Sequence, residues 1–210
     1  MKRALLAAVV AAAIVAAAAA AGGNPSLLHP TTIKGKAPAV FHVRFTTTKG
    51  PFVVTVHRAW APRGADRFYD LVRAHFYDGQ RLFRVIPGFV VQWGISADPK
   101  IAKAWANATI RDDPVHHTNA RGTIVFATAG PNTRTTQLFV NLANNPGLDS
   151  QGFAPFGTVT GGFATLGKLY HAYGEGPSSD QAQMTQLGDT FVRKHFPKLD
   201  RFLRARVATS

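Results

Sequence analysis

The sequence predicts a mainly β fold, a closed antiparallel barrel capped by two helices, with an extra helix near the C-terminus. Most apolar runs between residues 40 and 207 are short and alternate with polar residues, which is typical of half-buried strands. Glycine and proline separate these runs at positions that favour turns. Short strands with turn punctuation and few helical stretches are typical of a barrel whose helices cover its ends.

The first two strands are predicted to form a hairpin. Phe41, Val43 and Phe45 alternate with polar residues over 40–48, valines alternate with polar residues over 52–57, and Lys49-Gly50-Pro51 joins the two runs. The same kind of pattern predicts further strands at 83–86, 90–94, 122–128, 137–142, 156–160 and 202–207.

Helical spacing of apolar residues predicts three helices. The first covers 65–75, the second is a short helix after Gly161-Gly162, and the third includes Met184 and Val192 on one face. The third lies in residues 174–200, a polar, glycine-containing stretch followed by a helical pattern, which we call the insertion. We expect the insertion to pack on the barrel, and the pattern gives it no function.

Composition limits the classes of protein to consider. The chain has 210 residues, 46% of them hydrophobic and 17% charged, which is typical of an ordinary globular protein with one sizeable core. It contains no cysteine, which excludes disulfides, thiolate metal sites and a lipid-modified cysteine. The formal net charge is +13, but the basic residues are scattered and no stacking aromatic pattern accompanies them, so we expect no nucleic-acid partner.

The N-terminus predicts export. Residues 1–21 have two basic residues followed by an unbroken alanine-rich apolar run that ends in a small-residue cleavage pattern, as in a signal peptide. The alternative is an uncleaved anchor, because the run is near the lower length limit for a membrane span. Residues 22–38 are predicted to be a flexible tether and 39–210 to form the barrel domain. The mature protein is expected to be periplasmic or secreted, with no stable membrane span.

One strand carries the residue that most needs explaining. Phe83 and Val85 share one face of a predicted strand, while Arg84 points to the opposite face. On its own, such an arginine is an ordinary solvated surface residue. A Pro87-Gly88 turn and a second apolar run that contains Gln92 follow it. Some forty residues later the chain reads Phe126-Ala-Thr-Ala-Gly-Pro-Asn-Thr133, then Gln137-Leu-Phe-Val140.

Together these two stretches closely resemble the cyclophilins, which are peptidyl-prolyl cis-trans isomerases. The family signatures read F-H-R-I-I-P-G-F-x-x-Q-G and M-A-N-A-G-P-N-T-x-x-S-Q-F-F, and the resemblance extends from about residue 39 to 207. It implies an eight-stranded barrel and isomerase activity on exported polypeptides, in the manner of an exported bacterial member that assists folding. The implied partners are proline-containing polypeptides. A monomer is expected, with neither cofactor nor metal.

The resemblance also assigns the site residue by residue. Arg84 matches the catalytic arginine and Gln92 the glutamine that orients it. The predicted substrate-binding residues are Phe89, Val90, Ala127, Thr128, Ala129, Gln137, Phe139, Leu148 and Phe153. Three substitutions depart from the family pattern: Gly147 replaces a tryptophan that contacts the inhibitor cyclosporin, Phe153 replaces a histidine, and Thr128 replaces an asparagine whose backbone binds substrate. Trp93 also replaces a glycine and is expected to narrow or cover part of the groove.

Other chemistries find less support in the sequence. His116-His117 lies near Asp112-Asp113, but adjacent residues on an extended chain point to opposite sides and do not form a metal site together. No nucleophile motif or phosphate-binding glycine loop is present. Two alternatives remain: a non-catalytic proline-binding or chaperone module on the same barrel, and a carbohydrate- or envelope-binding barrel attracted by its basic charge.

Overall fold

The computed structural model describes residues 24–208. The predicted signal segment, 1–21, lies outside the described residues. The strands are β1 Val40–Thr47, β2 Gly50–His57, β3 Arg84–Ile86, β4 Val90–Trp93, β5 Thr123–Phe126, β6 Leu138–Asn141, β7 Pro155–Gly161 and β8 Phe202–Val207. The α-helices are α1 Pro62–Arg73, α2 Pro99–Trp105, α3 Gly176–Ser179, α4 Gln181–Leu187 and α5 Asp189–His195. No helix within residues 24–208 combines the length and the hydropathy needed to cross a bilayer.

The eight strands form one antiparallel sheet in the order β3-β4-β6-β5-β7-β2-β1-β8. The predicted hairpin is confirmed, since β1 pairs with β2 from Val40 opposite His57 to Thr47 opposite Gly50. The predicted mainly β fold of eight antiparallel strands is also confirmed. Complete closure of the barrel is not, because within the described residues no ladder joins the edge strands β3 and β8. The segments that precede the two edge strands do contact each other. Leu82, before β3, donates its backbone N–H to the carbonyl of Asp200, before β8, at 3.0 Å.

The first cap is α1, whose apolar face enters the core. Pro62 occupies the first turn, where its missing N–H costs nothing, and Phe68, Leu71 and Val72 are buried. The predicted range was shifted by about two to three residues: the helix ends at Arg73 and His75 adopts a left-handed φ of 63°. The second predicted cap is a 3₁₀ segment, Phe163–Lys168, which follows Gly162, where φ is 68° and a Cβ would lie 2.4 Å from Pro51 O in β2.

The main core fills the interior of the curved sheet with aromatic residues. Phe45 stacks on Phe52 with ring centroids 4.8 Å apart and contacts Phe202 at 4.9 Å. Trp93 also lies here, fully buried and 5.7 Å from Phe45. The expectation that Trp93 narrows the groove is therefore wrong. Its place in β4 directs the side chain to the interior, since successive residues of a strand point to opposite faces.

Two residues of the predicted flexible tether are buried against the domain, while most of residues 24–38 are exposed. Leu27 and Ala37 are buried. The indole Nε1 of Trp105 donates to Leu27 O at 2.8 Å, and Ala37 N donates to the Asp66 carboxylate at 2.8 Å. The composition alone suggested flexibility because the stretch lacks periodicity, but these backbone groups find partners on α1 and α2.

The insertion contains three short helices instead of the single predicted helix. The break between α4 and α5 falls at Gly188, whose φ is 65° and where a Cβ would lie 2.4 Å from Ala97 O. Only glycine fits this close approach. Met184 and Val192 nevertheless face the same way and pack on Phe83, as the helical spacing predicts. β8 follows the insertion at the predicted position.

Candidate active site

One row of side chains crosses four strands on the outer face of the sheet. Arg84 in β3 pairs with Gln92 in β4, Gln92 pairs with Phe139 in β6, and Phe139 pairs with Val125 in β5. The alternate residues of the same strands lie in the main core: Val85, Val91, Val140 and Ile124. Strand alternation thus separates the core from the row, as predicted for Arg84 and Val85.

Three members of the row, Arg84, Gln92 and Phe139, form the floor of a cavity of about 380 Å³. Nine of the eleven predicted site residues line it: Arg84, Phe89, Val90, Gln92, Ala127, Thr128, Phe139, Leu148 and Phe153. The other two, Ala129 and Gln137, line an adjoining cavity of about 300 Å³. The two cavities share Gln92, Ala127, Thr128 and Gln181 as a common wall, so all eleven predicted residues belong to one continuous groove.

Apolar side chains form the deep part of the cavity. Val90, Val125 and Phe139 are buried and make a cluster separate from the main core, against which Leu148 and Phe153 pack. The ring of Phe153 meets that of Phe139 edge-on at 5.6 Å. An aromatic lining of this kind suits a compact apolar ring of a ligand.

The loop that carries Leu148 is held by a carboxylate behind it. Asp149 accepts hydrogen bonds from the hydroxyl of Thr118 at 2.6 Å and from both the backbone and the side-chain amide of Asn119 at 2.8 and 2.7 Å. Burial raises the pKa of Asp149, but these hydrogen bonds outweigh it and hold the pKa below its ordinary value. The ionised form therefore anchors the 3₁₀ segment Pro146–Gln151 beside the cavity.

Thr128 lies on the opposite wall, in the loop after β5. Its hydroxyl bonds Gly130 O and the hydroxyl of Thr133, which lies 2.8 Å away. Thr133 in turn accepts from Ala129 N at 2.9 Å. The threonine side chain therefore stabilises its own loop, which is consistent with the expectation that this position contributes its backbone to the site.

The guanidinium of Arg84 is held on two sides. Its Nη1 donates to Gln92 Oε1 at 3.2 Å, as expected for the orienting glutamine. On the other side Nε and Nη2 donate to the two carboxylate oxygens of Glu175, at 2.8 and 2.7 Å. The arginine also lies over the ring of Phe89, with Cζ 5.3 Å from its centroid. Glu175, the partner in this bidentate pair, belongs to the insertion and lies 91 residues after Arg84 in the chain.

A closed ring of hydrogen bonds connects the predicted residues to the insertion. Gln92 Nε2 donates to Gln137 Oε1 at 2.9 Å, and Gln137 Nε2 donates to Gln181 Oε1 at 2.8 Å. Gln181 Nε2 donates to Ser178 O at 3.2 Å, and the Ser178 hydroxyl donates to Glu175 at 2.7 Å. The carboxylate of Glu175 completes the ring at Arg84. Each polar side chain of the groove is therefore placed by its neighbours.

The charge of Glu175 is favoured by this arrangement. The hydrogen bond from Arg84 lowers the pKa of the Glu175 carboxyl below its ordinary value, while partial burial acts in the opposite direction. The ion pair is consequently present at neutral pH and is lost as the pH falls through that lowered pKa.

Sequence reasoning missed three residues that line the cavity: Glu175, Ser178 and Gln181. They lie at the start of the insertion, in a polar stretch without apolar periodicity. The available signal was one acidic residue in an otherwise uncharged glycine-containing loop of a strongly basic chain. Nothing in that local pattern indicates which distant side chain the carboxylate meets. Within the described part of the chain, no group of three or more His, Cys, Asp or Glu residues is arranged to hold a metal ion.

Comparison with known proteins decides the family. The model for cyclophilin-type peptidyl-prolyl cis-trans isomerases matches residues 42–188, which is more than half of the chain. The chain belongs to this family. It is 33% identical over 135 residues to the peptidyl-prolyl cis-trans isomerase ppi1 of Schizosaccharomyces pombe, covering 61% of this chain and 84% of that protein. It is 37% identical over 135 residues to peptidyl-prolyl cis-trans isomerase A of Dickeya dadantii, covering 61% and 70% of the two chains.

The fold of the cyclophilin is shared with solved structures. A crystal structure of a cyclophilin-type isomerase of Cryptosporidium parvum, determined in the presence of the dipeptide Ala-Pro, matches with a TM-score of 0.59 at 19% identity. The match covers 80% of this chain and 99% of that chain. The protein is thus a cyclophilin-type peptidyl-prolyl cis-trans isomerase with proline-containing peptides as its substrates.

The absence of a tryptophan at position 147 leads to a prediction about cyclosporin. We expect weak inhibition, because Gly147 offers the drug neither the hydrogen bond nor the aromatic wall of a tryptophan. The lost binding free energy is of the order of 1 to 3 kcal/mol. Gly147→Trp should strengthen inhibition, since Gly147 is exposed and a Cβ there meets no atom within 4 Å. The inhibition constant for Ala-Pro isomerisation measures the effect. Gly167→Trp is the matched control, because Gly167 is equally open but, unlike Gly147 beside Leu148, does not adjoin a residue that lines either cavity. Tight inhibition of the unmodified protein would contradict this prediction.

Proposed function

We propose that this cyclophilin accelerates the isomerisation of Xaa-Pro bonds in exported polypeptides and so assists their folding, with Arg84 as its catalytic group. The observation that carries the proposal is the row in which Arg84, Gln92 and Phe139 stand side by side on the cavity floor. This row places one cation, one orienting amide and one aromatic wall within reach of a single proline residue.

The reaction requires only that a partial double bond be broken temporarily. Rotation about the peptide C–N bond faces a barrier of about 18 to 20 kcal/mol. Uncatalysed Xaa-Pro isomerisation therefore takes tens to hundreds of seconds. In the twisted transition state the prolyl nitrogen loses its conjugation with the carbonyl and regains a lone pair. A hydrogen-bond donor directed at that nitrogen stabilises the twisted form more than either planar form.

Arg84 is suited to be this donor. A guanidinium has five N–H groups and remains protonated at every relevant pH, so it donates without taking part in proton transfer. Its side chain is 24% exposed, so substrate binding would displace most remaining water from it. Gln92 is almost fully buried, fixes one edge of the guanidinium and is itself fixed by Gln137. The donor is thereby oriented before the substrate arrives.

The apolar part of the cavity holds the proline ring. Phe139 supplies the floor beside Gln92, and Phe89, Leu148 and Phe153 supply the walls. A fixed ring leaves the preceding carbonyl as the part of the peptide that rotates. Gln137 faces the adjoining cavity and is positioned to bond the peptide backbone on that side. The chemistry calls for neither nucleophile nor metal, and we expect activity to survive a chelator.

The cellular setting of the proposal rests on the N-terminal sequence. The basic start, the alanine-rich run and the small residues that end at Ala21 support secretion to the periplasm or the exterior of a bacterium. The dispersed positive charge argues against a nucleic-acid partner, and a monomer remains our expectation.

Export is tested by locating and sequencing the mature protein. We expect the mature chain to begin near Gly22 and to fractionate as soluble material outside the cytoplasm, because signal peptidase cleaves after small residues. N-terminal sequencing and cell fractionation check this. Replacing Ala19 and Ala21 by bulky residues should retain the precursor, whereas the same change at Ala7 should not. Recovery of the full 1–21 segment in membranes from the unmodified protein would refute cleavage.

Isomerase activity and its residues are tested together with an Ala-Pro peptide. NMR exchange spectroscopy measures the catalysed rate directly in unmodified protein and in Arg84→Ala. Loss of most of the activity in the variant supports the proposed role of the arginine. A rate equal to that of the unmodified protein would assign the chemistry to another group.

A further inference from the structure

The insertion places a carboxylate in a groove that otherwise carries no acidic side chain. Among the residues that line the two cavities, Glu175 is the single acid and Arg84 the single base. Their bidentate pair cancels the charge of the arginine before a peptide binds. The charge that a peptide meets in this groove is therefore decided by Glu175 as much as by Arg84.

Glu175 also competes for the hydrogen bonds that a peptide needs. Two of the five guanidinium N–H groups are donated to Glu175 and one to Gln92. A peptide that draws Arg84 toward its prolyl nitrogen weakens the pair with Glu175. The carboxylate is then available to another cation, because its side chain is more than half exposed at the rim of the cavity.

The helices that follow Glu175 hold the insertion against the barrel. The insertion is fixed at its base, where Arg81 Nε and Nη2 donate to Asp189 at 2.7 and 3.2 Å. Met184 and Val192 pack on Phe83 behind that ion pair. The Glu175 side chain lies at the rim of the cavity and is 57% exposed, so a side chain of the bound peptide can reach it.

We propose that Glu175 is a specificity-determining residue that favours peptides with a basic side chain next to the proline and disfavours those with an acidic one. A lysine or arginine of the peptide replaces Arg84 as the partner of the carboxylate, whereas an acidic side chain is repelled by it. A neutral side chain does neither. This inference rests on the proposed role of Arg84, since the partner exchange begins when the peptide engages that arginine.

The expected size of the preference follows from the exposure of the pair. Exposed ion pairs contribute modestly to stability, which corresponds to about two- to fivefold in an equilibrium constant. We therefore expect each step from basic to neutral to acidic peptide to lower kcat/KM by about two- to fivefold. The preference should shrink at high salt, because salt screens exposed charges.

The experiment compares peptides that differ only in one residue next to the proline: lysine, glutamine or glutamate. One series places that residue before the proline and a second places it after. NMR exchange spectroscopy is used because a coupling protease would add its own charge preference. In the unmodified protein we expect kcat/KM to decrease in the order Lys, Gln, Glu in at least one of the two series. Glu175→Gln should remove the order, with the largest gain for the glutamate peptide.

A matched control separates the local effect from the overall charge. Asp180→Asn removes one negative charge from the same insertion, and the Asp180 side chain makes no ion pair or hydrogen bond within the described residues and lines neither cavity. It should leave the order unchanged. An unchanged order in Glu175→Gln overturns the inference. So does an equal fall for all three peptides, which would mean that Glu175 only positions Arg84.

The two proposals fail in different ways. If the unmodified protein shows the order of peptides but Arg84→Ala isomerises at an equal rate, the proposed catalytic role fails. If Arg84 is required and the order is absent in both series, only the specificity of Glu175 is rejected.

Discussion

Arg84→Ala is expected to lower kcat for an Ala-Pro peptide by about 10²- to 10³-fold, the usual effect of removing one preorganised donor to a transition state. Peptide affinity should change little, because the apolar cavity that holds the proline ring is left intact. NMR exchange measures kcat, and titration of chemical shifts measures affinity in the same samples. Arg84→Lys should recover part of the rate, since an ammonium donates but lacks the planar fork.

The design must account for the carboxylate that Arg84 leaves behind. Glu175 loses both of its guanidinium bonds in Arg84→Ala and could disturb the groove by itself. The same substitution is therefore repeated in a Glu175→Gln background, where no charge is left unpaired. A comparable loss of kcat in both backgrounds assigns the effect to the donor. Phe139→Ala provides the contrast, since removal of the buried ring should weaken both affinity and rate.

Asp113→Ala is expected to reduce the free energy of unfolding by about 3 to 5 kcal/mol, as when one partner of a buried ion pair is removed. The Asp113 side chain is fully buried, and Arg134 donates to it from Nη1 and Nη2 at 3.2 and 3.1 Å. It also accepts the backbone N–H of Arg63 and Gly64 at 3.0 and 2.9 Å, which satisfies the first turn of α1. One carboxylate thus joins a buried cation to the helix cap.

Urea unfolding followed by tryptophan fluorescence measures this loss. Asp180→Ala is the control and should change the free energy of unfolding by no more than about 0.5 kcal/mol, as at an ordinary surface position. The double variant Asp113→Ala/Arg134→Met should be more stable than Asp113→Ala alone, because the buried guanidinium that Asp113 neutralised is removed with it. A loss below about 1 kcal/mol in Asp113→Ala would show that Arg134 finds sufficient compensation from Asp112 and the backbone.

The sequence by itself determined the strands, the family and the position of the groove. Alternation of apolar and polar residues depends on neighbours two positions apart, so β1, β2 and the opposite directions of Arg84 and Val85 followed from local pattern. The two long motifs were sufficient for the resemblance to cyclophilins. The eleven predicted site residues come together because β3, β4, β6 and β5 are adjacent in the sheet.

Only the tertiary structure decided which residues that are far apart in the sequence come into contact. The pair of Glu175 with Arg84 joins residues 91 positions apart, and the contacts of Leu27 and Ala37 with α2 and α1 use backbone groups that have no sequence signature. The gap between β3 and β8 follows from the order in which all eight strands pair. The spacing of apolar residues in the sequence indicates which face of a strand or helix is apolar, but not which distant element packs against that face. For this cyclophilin that is the physical reason why the groove could be predicted from sequence and the carboxylate at its rim could not.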